Sequence, residues 1–536
     1  MRLSAMLLVG WMMPTDDRCR CQAVDAVVVC DDSLLASIQP WLEHRRLEGL
    51  SLLVRQPSSD PDTMRDVIRA ASDDQTLYVV LIGDVPTIGK RIHVGAIPAF
   101  HEVSQVASQF GSTPTYPSDR PYGSASVAVG RWPVRTPADC RQLVNRILAY
   151  EKSNDFGRWR RQFQFTAGIG GFGPIVDSAI ESITRTVLTD VLPPEVMPQI
   201  AYASPGHPFC PVGDDFAVAV QSRLKQGSRF WVYAGHGSVD CLNLLGRSDD
   251  EAKGVRKPLT YGRSASPSSL DAKRSLDTKP SDHYVVNTLI QNETVDRFAV
   301  APTRSPIGVL LACFAGAIDA PGDCLAERML LSPGGPVAVI AATRLTMPYG
   351  NARFGLGMLR AVHHREAHRL GDAWLMGLSR TMSSKNDADE TVPARGMIDM
   401  VASLVSPGNV NLQQERKEHA GSYLLLGDPM LNLHSPQAVS LRVSRLADGD
   451  IDVTVASPID GQMSLSVHRP LSSWNDRGQG TDEDPHGTII SQVQSNVISG
   501  EQLHFRLSTP VNRDVDFTVR AFVDGETDWA VGAVKH

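Results

Sequence analysis

The sequence predicts an α/β protein with a parallel sheet and helices on both of its faces, followed by an all-β domain. Continuous aliphatic runs alternate with helix-like segments over most of the chain, and residues 436–536 switch to period-two patterning. With 536 residues, 42% of them hydrophobic, the chain is long enough for two to four domains.

The alternation begins near the N-terminus. Strand-like runs at Asp25 to Val29 and Leu77 to Ile82 are separated by helix-like segments at Leu34 to Leu47 and Asp62 to Ala71. Such alternation predicts right-handed βαβ units. After a loop-rich section, the pattern predicts strands at 125–131 and 162–167, a helix at 137–152 between them, and a helix at 216–225.

A glycine-rich segment from Gly168 to Gly173 formally satisfies the GxGxxG pattern of dinucleotide-binding loops. That motif also needs an acidic residue about twenty positions on, at the end of a second strand. Asp190 has nearly this spacing but follows the helix-like run from Ser178 to Leu188. A loop that passes close to a helix start is therefore the preferred interpretation.

Two apolar runs stop abruptly at reactive residues. One spans Phe230 to Ser238 and contains His236, and the other spans Pro306 to Gly316 and contains Cys313. The carboxyl ends of neighbouring parallel strands face one crevice, so the two runs can place an imidazole beside a thiol. A thiol and a neighbouring imidazole are the two groups that a cysteine nucleophile activated by its own base requires.

The interval from Arg247 to His283 is polar and nearly free of large apolar residues, which predicts a mobile loop or disordered insertion beside the site. Beyond Cys313 the pattern predicts a helix at 323–331, a strand at 337–342 and a helix at 351–364. Short alternating runs after about Pro436 are typical of an immunoglobulin-like β-sandwich.

Composition excludes several function classes. The net charge is −7 and the basic residues are scattered, which argues against nucleic acid as the main partner. No CxxC pair occurs among the eight cysteines, so a zinc ribbon is not indicated. No apolar stretch is long enough for an integral membrane segment. The charged and apolar start from Met1 to Pro14 predicts export, to the cell envelope or the exterior.

Several short segments, in chain order, make the sequence resemble the gingipain-type cysteine peptidases, which share the caspase-like fold. The strongest are Tyr233 to Ser238 and Ala312 to Gly316. The others are Leu81 to Asp84, Ser118 to Gly123, Val129 to Arg135, Leu148 to Glu151, Cys324 to Glu327 and Leu426 to Pro429. Each segment alone is weak, but their shared order over residues 25–536 is specific.

The resemblance implies a cysteine-type endopeptidase that acts on protein or peptide substrates. Cys313 would be the nucleophile, His236 the acid and base, and the backbone N–H groups of Gly237 and Cys313 the oxyanion hole. No cofactor is expected to be required. Structural calcium is possible, since some relatives bind it, although no EF-hand-like loop occurs here.

The sequence departs from the family at the loop after residue 167. Ile169 stands where arginine-specific gingipains carry a glutamate that supports the histidine, which predicts a dyad rather than a triad. Asp177 is the only nearby acid for a substrate pocket, and Tyr349 is a second candidate for its lining. Without a buried carboxylate to pair a guanidinium, cleavage after arginine or lysine loses its main source of selectivity, and the P1 preference stays open.

Four segments are expected: a possible leader at 1–22, an N-terminal α/β subdomain at 23–160, a catalytic subdomain at 161–435 with an insertion at 247–283, and the sandwich at 436–536. A catalytically silent scaffold for partner binding or for secretion and surface assembly remains the alternative function. A CHAT-type peptidase is a third hypothesis, disfavoured by the C-terminal sandwich.

Overall fold

The computed structural model describes residues 23–87, 95–106, 113–168, 170–171, 174–204, 207–211, 216–247, 284–363, 366–383, 393–406, 410–471, 480–481, 484–508 and 516–536. The helices are α1 (Asp32–Leu47), α2 (Pro61–Ala71), α3 (Pro137–Glu151), α4 (Pro174–Thr186), α5 (Phe216–Lys225), α6 (Leu325–Leu331), α7 (Pro348–His363), α8 (Leu370–Met382), α9 (Pro393–Val405) and α10 (Leu412–Ser422).

The strands of the first 435 residues are β1 (Ala26–Cys30), β2 (Leu52–Arg55), β3 (Tyr78–Ile82), β4 (Phe100–Val103), β5 (Thr115–Ser118), β6 (Ala128–Trp132), β7 (Gln162–Ala167), β8 (Met197–Tyr202), β9 (Phe230–Ala234), β10 (His236–Gly237), β11 (Cys241–Arg247), β12 (Tyr284–Gln291), β13 (Ile307–Leu311), β14 (Ala338–Ala342) and β15 (Tyr423–Leu426). Those that follow are β16 (Gln437–Ala438), β17 (Ser440–Arg445), β18 (Ile451–Ala456), β19 (Gly461–His468), β20 (Ile489–Val497), β21 (Gln502–Leu507), β22 (Thr518–Asp524) and β23 (Trp529–Lys535).

Ten strands form one sheet in the order β2-β1-β3-β6-β15-β14-β13-β9-β7-β8. The first four are parallel to one another, and so are the last five. Between these groups lies β15, antiparallel to β14 and joined to β6 at Leu426 and Arg131. The sheet is continuous through the two predicted subdomains, whose boundary at residue 160 stays a prediction.

Helices cover both faces of the sheet because successive side chains of each buried strand point to opposite faces. On β1, Val28 joins a core that includes Trp41 of α1. Its neighbour Val29 joins a separate core with Met64 and Ile68 of α2. The predicted α/β class, with a parallel sheet between helical layers, is confirmed.

The sequence pattern missed three strands of this sheet. β2 and β8 are its edges, and both are only partly buried. Edge strands carry polar residues or proline, as Arg55 and Pro198 illustrate, so their apolar signal is weak. The third, β15, follows directly on α10, so no turn separates the strand from the helix before it.

The C-terminal strands form two sheets, β16-β23-β22-β19-β20 and β17-β18-β21. Ile451 and Val453 of the smaller sheet share one core with Leu465 and Val519 of the larger, which is a sandwich arrangement. A contact with the ten-stranded sheet is the hydrogen bond from the Ile200 amide, on edge strand β8, to Nε2 of His486. The immunoglobulin-like assignment stays a prediction.

A buried ion network ties α1, α3 and the segment after β15 together. The Arg45 guanidinium is fully buried and donates from Nη1 to Glu151 at 2.9 Å and from Nη2 to Asp428 at 2.6 Å. Burial alone would raise the pKa of Glu151, but Arg45, together with hydrogen bonds from His44, Arg45 and the Asn432 amide, lowers it to about 2. The network therefore fixes the first helices against the end of the sheet.

We expect Arg45→Met to lower the free energy of unfolding by about 3–5 kcal/mol, because two buried carboxylates lose their cation. The depressed pKa of Glu151 stabilises the fold above pH 4.5, and this contribution is lost as the pH falls towards 2. Urea unfolding across this pH range should therefore show a flatter acid dependence in the variant.

Arg506→Met is the matched control, since the Arg506 guanidinium pairs with Asp448 and Asp450 on an exposed surface. Exposed pairs contribute little, so this variant should unfold as the wild type does. An Arg45→Met protein as stable as the Arg506→Met protein would contradict the role given to the network.

Candidate active site

The site lies at the carboxyl ends of β9 and β13, which are neighbours in the sheet. Their parallel register pairs Ala234 with Leu311, and the Gly235 amide donates to the Leu311 carbonyl at 3.3 Å. His236 and Cys313 each stand two residues beyond these paired ends. The structure thus brings together the two residues that the sequence singled out.

His236 is held through its ring and through its backbone. Its Nε2 lies 2.8 Å from the carbonyl oxygen of Gly170, and the Tyr233 hydroxyl donates to its carbonyl at 2.8 Å. A carbonyl oxygen only accepts, so Nε2 carries the proton, and Nδ1 is the basic nitrogen of the neutral ring. Ile169, the position where the resemblance leads one to expect a supporting glutamate, lies outside the described residues, and the adjacent carbonyl of Gly170 orients the ring.

Cys313 is half-buried, and its sulfur faces Thr346. The Thr346 amide donates to Sγ at 3.3 Å, and the Thr346 Oγ1 lies 3.6 Å from Sγ. Burial raises the pKa of the Cys313 thiol, while both Thr346 groups draw it back down, and the net direction is upward. A free thiol therefore dominates at neutral pH, and ionisation requires a base.

The backbone turns sharply directly after Cys313. Phe314 has a φ of +59°, the left-handed region that residues other than glycine rarely adopt. The turn is held by hydrogen bonds from the Phe314 amide to the Arg344 carbonyl, at 3.2 Å, and from the Gly316 amide to the Ala342 carbonyl, at 2.8 Å. Strain of this kind persists only where the surroundings fix it, and it clusters at functional sites.

Gly237 makes the close approach of the two strand ends possible. A Cβ atom there would lie 2.9 Å from the Ala312 Cβ and 2.9 Å from the Cys313 carbonyl oxygen. Any side chain at this position would push the strand ends apart. The backbone of Gly237 consequently packs against the residue before the thiol.

The loop that carries Thr346 is fixed from α10. Nε2 of His419 accepts from the Met347 amide at 2.8 Å, and its Nδ1 donates to the Glu415 carbonyl at 2.9 Å. Burial lowers the pKa of His419 to about 4, so the ring is neutral at physiological pH and can accept this bond. The sequence analysis missed both residues: Thr346 follows β14 closely, a signal available beforehand, whereas His419 has no comparable signal.

The two other residues predicted for the substrate pocket lie on helices. Asp177 is half-buried in the first turn of α4. Tyr349, on α7, is 7% exposed, and its hydroxyl donates to Asp399 at 2.8 Å and accepts from Arg416 at 2.6 Å. It packs in a small apolar cluster, and the pocket role of both residues stays a prediction.

An apolar cavity of about 620 Å³ opens beside the pair. Cys313, His236 and Thr346 are among the residues that line it, together with residues of β7, β9, β13, α4 and α7. This volume lies within the range of sites for small molecules and substrate groups. The arrangement combines a nucleophile, a base and an apolar recess.

Within the described ranges, one group has the spacing of metal ligands: His44, Glu48 and Glu151. Nη1 of Arg45 already donates to Glu48 at 2.8 Å and to Glu151 at 2.9 Å, so the positive charge next to these carboxylates is the Arg45 guanidinium. The expectation of structural calcium remains a prediction. In the same described part of the chain, no helix has the length and hydrophobicity needed to cross a bilayer.

The profile of peptidase family C25 matches residues 20–434. No curated protein sequence matches the chain significantly. The fold is similar to that of the Arg-specific cysteine proteinase gingipain R, at a TM-score of 0.50 and 14% identity over 96% of this chain and 98% of that one. A structure described only as a protease matches at a TM-score of 0.50 and 10% identity, over 96% of this chain and 97% of that one. The complex of the pro- and mature domains of Porphyromonas gingivalis RgpB matches at a TM-score of 0.49 and 14% identity, over 95% of this chain and 99% of that one.

We expect Thr346→Val to raise the pKa of the Cys313 thiol further, because the hydroxyl that lowers it is removed while the shape is kept. The measurement is the pH profile of iodoacetamide alkylation, followed at Cys313 by mass spectrometry. At neutral pH the variant should react more slowly, with its profile displaced to higher pH.

Thr381→Val is the matched control, since it removes an equally buried hydroxyl that donates to the Gly377 carbonyl within α8. Its Cys313 profile should coincide with that of the wild type. Identical profiles for all three proteins would show that Thr346 does not tune the thiol.

Proposed function

The chain belongs to peptidase family C25, and we propose that it is a cysteine-type endopeptidase in which Cys313 and His236 carry the reaction. The observation that carries the proposal is the parallel register of β9 and β13, which sets both residues just beyond paired strand ends. The substrates would be proteins or peptides.

The reaction begins with proton transfer from the Cys313 thiol to Nδ1 of His236. The sulfur attacks the scissile carbonyl, and a tetrahedral intermediate forms. When the C–N bond breaks, the imidazolium donates its proton to the departing amine. Water, deprotonated by His236, then attacks the thioester and releases the acid product and the free thiol.

The Gly170 carbonyl keeps the ring in the tautomer that this sequence of transfers needs. Because Nε2 donates to a fixed acceptor, the proposal assigns the transferred proton to Nδ1. The raised pKa of Cys313 makes such a base necessary, since few thiols ionise unaided near neutral pH.

The oxyanion of the intermediate would be stabilised by backbone N–H groups of Gly237 and Cys313. The close packing of Gly237 on the residues around the thiol supports this assignment, because the two backbones adjoin. Fixed donors of this kind act most strongly where water is excluded.

We also propose that the protein is exported, on the basis of the charged and apolar N-terminal segment. Residues 1–22 and 248–283, which include that segment and nearly all of the predicted insertion, lie outside the described residues.

The proposal predicts that Cys313→Ala and His236→Ala each lower kcat/KM by at least about a thousandfold, since each removes one half of a cooperating pair. A diverse peptide library provides the substrates, and a cysteine-directed activity probe reports the thiol independently. The wild type should be labelled at Cys313.

Cys210→Ala serves as the control, because Cys210 is a partly exposed thiol outside the proposed pair. This variant should cleave and label as the wild type does. If the wild type cuts no peptide and labels no better than Cys313→Ala, the silent-scaffold alternative takes the place of the peptidase.

A further inference from the structure

The cavity beside Cys313 extends far along the sheet. Its floor is one face of β7, β9 and β13, where alternation puts Val309 and Leu311 on the same side, and Cys313, just beyond the end of β13, lines the same cavity. Val309 stands four positions before Cys313, so the floor reaches roughly 13 Å from the catalytic position at about 3.3 Å per residue. The recess is therefore deep as well as wide.

The roof and the far end of the cavity are also apolar. Leu356 and Leu359 of α7 and Ile183 of α4 cover the strands. At the far end, the rings of Phe163 and Phe230 lie edge-on to the His363 ring, with centroids 5.5 and 5.6 Å away. Aromatic and aliphatic side chains thus enclose the recess over its whole depth.

The described lining of the recess includes no buried acid. Among the described lining residues, the one carboxylate belongs to Glu181, whose side chain is 42% exposed. Its Oε1 lies 3.4 Å from Nε2 of His207, so it already has a partner outside the recess. A guanidinium or ammonium group inside would lose its hydration without gaining a buried counter-charge, which is strongly unfavourable.

We propose that this cavity is the S1 pocket and that it takes a large apolar side chain, aromatic or long aliphatic. The occupant is the side chain of the residue whose carbonyl Cys313 attacks, since that side chain branches from the carbon next to the attacked one and Cys313 itself lines the cavity. The inference rests on the proposed peptidase function and adds the substrate class to it.

The first test compares peptides that differ only at the P1 residue: phenylalanine, methionine, alanine or arginine. We expect kcat/KM for phenylalanine and methionine to exceed that for alanine and for arginine by at least about tenfold, because added apolar groups in such a pocket each contribute factors of this size. A preference for arginine that disappears in Glu181→Gln overturns the proposal.

The second test narrows the pocket with Gly355→Leu. A Cβ atom at Gly355 would lie 3.0 Å from Cδ1 of Leu311, and the rest of the leucine side chain would extend into the recess. We expect kcat/KM for the phenylalanine peptide to fall at least about tenfold, while that for the alanine peptide changes less than about twofold.

Gly396→Leu is the matched control, since Gly396 is an exposed glycine of α9 where an added Cβ atom would have no neighbour within 4 Å. It should leave both rates unchanged, and thermal unfolding of both variants checks that they fold. Equal losses for the two peptides in folded Gly355→Leu overturn the pocket assignment.

The two proposals fail differently. Equal cleavage of all four peptides, or a preference set by the residue after the scissile bond, removes the pocket assignment and leaves the peptidase in place. A wild type that neither cleaves any of these peptides nor labels at Cys313 removes both.

Discussion

The close approach of two strand ends is the constraint on which the rest of the site depends. β9 and β13 are hydrogen-bonded up to Ala234 and Leu311, and the chain beyond each is fixed by that pairing. Gly237 packs so tightly on Ala312 and the Cys313 carbonyl that a side chain has no room there. The backbone pairing thus places the two residues, and the contacts of the His236 ring with the Gly170 carbonyl and of the Cys313 sulfur with Thr346 fix their side chains.

The proposed nucleophile and the apolar recess lie on the same face of the sheet. Val309 and Leu311 of β13 and Cys313, two residues beyond its end, all line the same recess. α10 supports the loop at the mouth through His419 and the Met347 amide. A change in the packing of these helices would therefore alter the substrate recess and the environment of the thiol together.

A backbone carbonyl, rather than a carboxylate, orients His236. The Gly170 oxygen fixes the tautomer but adds no full negative charge, so it stabilises an imidazolium less than an ionised acid does. Several acids in the segments that resemble the family have structural partners instead. Glu151 and Asp428 pair with the buried Arg45, and Asp119 pairs with the buried Arg131 at 2.6 Å. Those segments hold the fold together, and their acids are engaged in structural ion pairs.

The sequence by itself determined the α/β class, most strands and helices, and the pair His236 and Cys313, because buried parallel strands are continuous apolar runs and their ends are where reactive residues collect. Only the tertiary structure decided that Gly170 orients the histidine and that Thr346 faces the thiol. It also decided that an apolar recess lies beneath them. These contacts join residues that are far apart in the chain. Every residue has a backbone carbonyl, so the sequence does not indicate which one will accept a hydrogen bond from the histidine. Local patterning records periodicity and strand ends, but not which loop meets which side chain across the sheet.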